Sequence, residues 1–210
     1  MRRTKKRRKK SETARAKEQD LKLAFLTNVN NYKALERGLH AIRDISKIER
    51  GTFSVAPINL RIADLIQEAV SQIQPHAERK GLKLLCEIED PGIKVKIDSY
   101  CLSHALENLL DNALRYTEKG HILVRLSVRS KRIVQVDVED TGIGIDSRVL
   151  PTLFQAFSRR SAQHEEIRMG LGLALAKRYL ALNGARLLVK SEKFRGSVFT
   201  IHLRIAQRPA

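Results

Sequence analysis

Glu107-Asn108-Leu109-Leu110-Asp111-Asn112-Ala113-Leu114-Arg115-Tyr116 is the stretch on which the fold turns. With Leu102, Ala105 and Leu106 just upstream, its apolar residues recur every three or four positions. The chain from Asp98 or Ser99 to about Thr117 therefore reads as a helix with one buried face. The other side is unusual. Asn108 and Asn112 lie one turn apart, and Arg115 follows three residues later on nearly the same side. Two amides and a guanidinium are costly to bury without partners. Amide oxygens are hard ligands suited to Mg²⁺, and a guanidinium pairs with phosphate. Solvent exposure is the alternative, and for Arg115 alone it is the favoured one.

Downstream, 121–128 and 132–138 alternate apolar and polar residues across a short Arg129-Ser130-Lys131 connection, the pattern of a hairpin. Directly after it stands Glu139-Asp140-Thr141-Gly142-Ile143-Gly144-Ile145. Two glycines two apart let the backbone turn sharply and approach a flat ligand, and Asp140 can accept a hydrogen bond from an exocyclic amine. Taken alone, the segment is equally a tight turn closed by an N-capping Asp146. A short helix is expected over 148–157, then an aperiodic polar stretch over 158–169. Met169-Gly170-Leu171-Gly172-Leu173-Ala174-Leu175 opens the next helix, 171–182. Its first N–H groups, made approachable by glycine, suit phosphate oxygens; a hinge into the helix is the other reading. Strands at 186–191 and 197–204 close the chain.

Upstream, Asn59 is expected to cap a helix over 60–80 that Gly81 ends and Pro75 kinks or shortens. Strands follow at 82–88 and 93–97. The element order describes an α+β fold, a two-layer sandwich with helices on one face of a mixed sheet. Before it, Phe25, Val29, Tyr32, Leu35, Leu39, Ile42, Ile45 and Ile48 form one stripe of a long N-terminal helix ending near Gly51. So narrow a stripe suits a coiled-coil or bundle partner, with packing on the chain's own domain as the alternative.

The 210 residues carry 40 Lys+Arg against 23 Asp+Glu, net +17, of which residues 1–20 hold +7. With 42 % hydrophobic residues there is material for one ordinary core, which excludes wholesale disorder and a large multidomain enzyme. Eight of the first ten residues are basic, and such a run is expected to stay solvated. It lacks interleaved aromatics, so specific nucleic-acid binding is not expected, and contact with anionic lipid would be weak. No apolar stretch approaches the roughly 20 residues of a membrane span, and no secretory signal is present, so the expected location is cytoplasmic. Cys86 and Cys101 make no Cys-x-x-Cys pair, and the six histidines show no zinc spacing.

Taken together and in order, these segments resemble the ATP-binding catalytic domain of sensor histidine kinases, part of a superfamily that includes gyrase, heat-shock chaperone and mismatch-repair ATPases. The matching motifs are the N box, Asn108 to Tyr116; the G1 box, Asp140-Thr141-Gly142-Ile143-Gly144; the F box, Leu153-Phe154-Gln155-Ala156-Phe157; and the G2 box, Gly170-Leu171-Gly172-Leu173. Gly196-Ser197-Val198-Phe199-Thr200 resembles the family's last strand. The resemblance implies ATP and Mg²⁺ as ligands. Asn112 would hold the metal, with Asn108 beside it and Arg115 on the phosphates, these last two counted as catalytic. Asp140 would receive the adenine amine, and Gly142 and Gly144 would admit the base. Tyr116 would flank the nucleotide, Gly170 and Gly172 would hinge a lid over 158–169, and Phe154 and Phe157 would seat it. Leu171 and Thr200 are assigned to the same pocket. Asn108 stands where hydrolytic relatives carry a general-base glutamate. An amide cannot take a proton from water, which favours transfer to a protein acceptor.

The domains expected are a basic tail at 1–20, a shortened dimerisation helix at 21–50 and the catalytic domain at 51–210. Phe25-Leu26-Thr27-Asn28-Val29 resembles the lead-in to the family's phosphoacceptor motif, and Ile42 to Glu49 the end of its second dimerisation helix. Where that motif has its His-acid pair, Asn30-Asn31-Tyr32 stands, and Arg168 replaces a common glycine before G2. His40 is the one histidine on the helix, read as a solvated side chain rather than a substitute acceptor. The expected activity is transfer of the ATP γ-phosphate to a histidine in trans. The partners expected are a response regulator or a histidine-presenting kinase chain, and a second copy through 21–50. The competing reading is a degenerate ATP-binding or dimerisation module that regulates an intact kinase or a response regulator.

Overall fold

The computed structural model describes residues 35–36, 38–156 and 170–207. The expectations for the basic tail, the start of the long helix, Phe157, Arg168 and the stretch 158–169 lie outside them. In chain order the elements are α1 (38–49), β1 (Ile58–Arg61), α2 (Ile62–Arg79), β2 (Lys83–Ile88), β3 (Lys94–Ile97) and α3 (Ser99–Tyr116). Then come β4 (His121–Val128), β5 (Ile133–Asp140), a 3₁₀ turn Leu150–Thr152, α4 (Gly172–Leu182), β6 (Arg186–Glu192) and β7 (Gly196–Gln207).

The strands form one mixed sheet in the order β1-β3-β7-β5-β4-β2, with β6 on the same edge of β7 as β3. The β2–β4 pair is parallel and the others are antiparallel. Alternation puts Val134, Val136 and Val138 of β5 and Phe199, Ile201 and Leu203 of β7 on one face. Against it lie Ile62, Ile66 and Ile73 of α2 and Leu102, Leu106, Leu109 and Leu110 of α3, at helical spacing. The helix-on-sheet sandwich is thus the expected one.

Three local expectations need correction. Asn59 caps no helix, because Ile58 to Arg61 pair in register with Ile97 to Lys94 as an edge strand, and α2 starts at Ile62 without a side-chain cap. Pro75 does not end α2, which runs on to Arg79 before Gly81 closes it in the left-handed region. The helix expected at 148–157 is only the 3₁₀ turn within the described residues, introduced by Asp146, whose carboxylate accepts from the Arg148 N–H. No helix among the described residues is long and apolar enough to cross a membrane.

Helix α3 is held at both ends. Asp98 caps it by accepting from the Cys101 N–H at 3.1 Å, and its second oxygen accepts from the Ala56 N–H at 2.7 Å. At the far end the Lys80 ammonium donates to the carbonyl oxygens of Leu114 and Thr117 at 2.7 and 3.3 Å, satisfying acceptors left over at the helix terminus. Asp98→Ala removes both carboxylate contacts and is expected to lower stability by about 1–2 kcal/mol in urea unfolding. Asp98→Asn, which keeps an acceptor oxygen, should recover most of that loss.

Candidate functional site

The polar side of α3 faces away from the sheet. Asn108, Asn112 and Arg115 are half-buried there, one above another, as their spacing predicts. Asn108 Nδ2 donates to the His104 carbonyl at 2.7 Å, and its Oδ1 lies against the start of α4. A Cβ on Gly172 would stand 2.5 Å from that oxygen. Glycine lets the start of α4 sit directly against the Asn108 amide, which a side chain at 172 would have to displace. Among the described residues no side chain caps α4, and its first N–H groups lie beside Asn108.

The loop 141–145 is clamped from two sides. On one side the Ile143 N–H donates to the Tyr116 carbonyl at 3.1 Å. On the other, the Phe194 N–H donates to the Ile143 carbonyl at 2.7 Å and Ser191 Oγ accepts from the Ile145 N–H at 2.8 Å. A Cβ on Gly142 would meet the Tyr116 carbonyl at 2.2 Å. The glycines thus let the loop touch the end of α3 and the β6–β7 turn, a packing role the sequence reading did not see.

Asp140 ends β5 on the helix side of the sheet, only 6 % exposed. Its Oδ1 accepts from the Gly142 N–H at 2.9 Å, and Ser197, its partner across the ladder, also bonds to it. Burial pushes the Asp140 carboxyl above the ordinary carboxylate range, and the Gly142 and Ser197 hydrogen bonds only partly offset this. A buried carboxylate with acceptor capacity to spare suits a hydrogen-bond donor from a ligand. A cleft of about 330 Å³ also reaches Asp140 between β5 and the β6–β7 turn, but Asn108, Asn112 and Arg115 do not border it.

Two predicted residues are not brought to this place. Thr200 pairs with Asp137, and alternation turns it to the opposite sheet face, where its Oγ1 donates to the Asp137 carboxylate. Ser197 is the β7 residue beside Asp140, and the one the sequence reading missed. Leu171 is buried against Ile45, Leu175 and Tyr179, so its side chain belongs to a small second core. Of the others, Tyr116 is partly exposed, with the Arg115 guanidinium 5.7 Å from its ring centre. Phe154 packs on the main core beneath Lys177 of α4, 4.7 Å from its ring centre. Gly170 has a left-handed backbone just before α4. His40 is exposed. Among the described residues no three His, Cys, Asp or Glu side chains converge as a metal cluster.

Residues 97–207 match the family model described as histidine kinase-, DNA gyrase B- and HSP90-like ATPase. The sensor protein GacS of Pseudomonas syringae pv. syringae is 32 % identical over 174 residues, 80 % of this chain and 19 % of that protein. The sensor protein DivL of Caulobacter vibrioides is 31 % identical over 175 residues, 83 % of this chain and 22 % of its own length. The chain thus spans about a fifth of these curated relatives. Among solved structures, full-length ShkA in complex with AMPPNP superposes with a TM-score of 0.70 at 25 % identity, over 82 % of this chain and 37 % of that one. The Acinetobacter baumannii histidine kinase AdeS gives 0.71 at 19 % identity over 87 % and 84 %, a likeness of fold.

Because the Asp140 carboxyl is raised, its ionised form disfavours folding above its folded pKa, and the penalty disappears as pH falls below the ordinary carboxylate range. Asp140→Asn is therefore expected to raise the melting temperature of the ligand-free chain at pH 7. The difference from the parent should shrink toward zero in scans at progressively lower pH.

Proposed function

The chain belongs to the histidine kinase-, DNA gyrase B- and HSP90-like ATPase family, and from that membership we propose that it binds Mg-ATP and passes the γ-phosphate to a histidine on another chain. The observation that carries the reading is the meeting of Asn108 with the start of α4 at Gly172, with Asn112 and Arg115 on the same side of α3. That arrangement offers amide oxygens, a guanidinium and helix N–H groups together, the donor set that triphosphate recognition requires. Asp140, with Ser197 beside it, is the acceptor for the adenine amine. Asn112 would hold the Mg²⁺. One amide oxygen fits an ion that takes most of its octahedron from phosphate oxygens and water. When bound, the metal would neutralise charge on the phosphates. The AMPPNP carried by the similar ShkA structure supports a nucleotide here.

In the transfer, the bond from the γ-phosphorus to its bridging oxygen breaks to leave ADP, and a nitrogen–phosphorus bond forms to the acceptor imidazole. Asn108 cannot deprotonate a water, so its chemistry supports transfer over hydrolysis. A histidine-presenting kinase chain or a response regulator is the partner that two-component chemistry supplies. We read residues 21–50 as a shortened dimerisation helix and 51–210 as the catalytic domain.

A degenerate regulatory module is favoured by one specific observation. The acceptor position reads Asn30-Asn31-Tyr32, and the acid one turn beyond His40, Asp44, is turned into the domain and bonded to Tyr100 and Tyr179. Asp44 is therefore not free to assist His40.

Asn112→Ala is expected to abolish Mg-dependent ATP binding in titration calorimetry while the circular dichroism spectrum stays unchanged; undiminished binding would remove Asn112 from the site. With labelled ATP, the chain alone should form no acid-labile phosphohistidine, whereas mixing it with a histidine-bearing partner hairpin should label the partner. Nucleotide binding without any labelling would leave the regulatory module as the function.

A further inference from the structure

Outside the nucleotide site, α1 carries a buried ionisable group, Asp44, 2 % exposed. Its Oδ2 accepts from the hydroxyl of Tyr179 at 2.6 Å and from that of Tyr100 at 2.8 Å, while Arg43 Nε donates to Oδ1 at 3.3 Å. The two tyrosines come from different helices, Tyr100 from the first turn of α3 and Tyr179 from the last turns of α4. Their ring centres are 5.9 Å apart at 76°, and His104 and Phe53 complete the aromatic cluster. Ile45, Ile48 and Ala41 of α1 pack beside it against Cys101, Leu171 and Leu175. Burial pushes the Asp44 carboxyl up, but the hydroxyls of Tyr179 and Tyr100 and the Arg43 guanidinium outweigh it and hold the group below the ordinary range.

Helices α3 and α4 are antiparallel, since Tyr100 meets Tyr179 while Asn108, eight residues on, meets Gly172, seven residues back. At about 1.5 Å per residue, the clasp and the Asn108–Gly172 junction stand roughly 10–12 Å apart along the same pair of helices. The junction is close: a methyl group on Gly172 would meet the Asn108 side-chain oxygen at 2.5 Å, and that side chain is tied through Nδ2 to the His104 carbonyl. Whatever sets the distance between α3 and α4 at one end therefore constrains it at the other.

We propose that Asp44 is a positioning residue for the nucleotide site: by binding Tyr100 and Tyr179 together beneath α1, it sets the spacing of α3 and α4 and couples docking of α1 to nucleotide affinity. The proposal rests on the nucleotide reading above only for the coupling; the docking of α1 stands on its own contacts. By reciprocity, docking and nucleotide binding must favour each other by the same factor.

The test uses the full chain and two measurements, amide hydrogen exchange of residues 38–49 without ligand and calorimetric affinity for Mg-ATP. Asp44→Asn and, separately, Tyr179→Phe are expected to raise exchange in α1 by about tenfold and to weaken Mg-ATP about five- to tenfold. In the parent, saturating Mg-ATP should slow exchange in α1 by a similar factor. Arg178→Ala, which removes the exposed pair of α4 with Glu49, should leave both readouts unchanged. Tyr179→Phe keeps the ring and its packing, so it remains informative if Asp44→Asn does not fold. Exchange unaltered in both clasp variants would overturn the clasp. Faster exchange with affinity within twofold of the parent would overturn the positioning role. No measurable Mg-ATP affinity in the parent would instead overturn the nucleotide reading, while the exchange arm still decides whether Asp44 docks α1.

Discussion

Helix α3 must satisfy an apolar sheet on one side and a polar, ligand-facing space on the other, and the positions of the other site groups follow from how it is held. Leu102, Leu106, Leu109 and Leu110 bury one face completely. That burial, at about 1.5–3 kcal/mol per large side chain, leaves the helix no freedom to rotate about its axis. The opposite face, with Asn108, Asn112 and Arg115, is consequently presented in one orientation. Asp98 and Lys80 then fix the helix at its two ends, so that it is also unable to slide.

Each remaining part of the site is referenced to this helix by a close contact made at a glycine. The Tyr116 carbonyl at its C-terminal end holds the loop after β5, and Asn108 at mid-helix abuts the start of α4. Glycines 142 and 172 occur where these approaches are made. A glycine pattern that suggests ligand access from the sequence is, in the folded protein, first a condition for assembling the site. The two purposes do not conflict, because the same close approach that excludes a Cβ brings backbone N–H groups within reach of a ligand.

Much of this was legible from spacing. The helical periods of α2 and α3, the β4–β5 hairpin, Gly81 as a helix stop and the shared face of Asn108 and Asn112 are local properties, carried by residues within a few positions of one another. The edge strand β1 was not legible, since four residues become a strand only because β3 offers an unpaired edge. Neither was the weakness of the helix after Asp146, where the described chain makes a single 3₁₀ turn. The narrow stripe at the N-terminal end also divided on folding among the described residues. Ile45 and Ile48 face the domain, whereas Leu35, Leu39 and Ile42 face outward.

By itself the sequence determined the element order, the polar face of α3 and the order of the glycine-containing loops, because periodicity and turn chemistry are short-range. Only the tertiary structure decided which residues of distant segments meet. Alternation says that Ser197 and Thr200 lie on opposite faces of β7, but it cannot say which face Asp140 shares; the β5–β7 register, joining residues far apart in the chain, does. The same holds for Leu171, whose burial depends on α1, and for Asp44. Its role comes from two tyrosines lying 56 and 135 residues further along the chain, and a carboxylate's partners at such separations are set by packing alone.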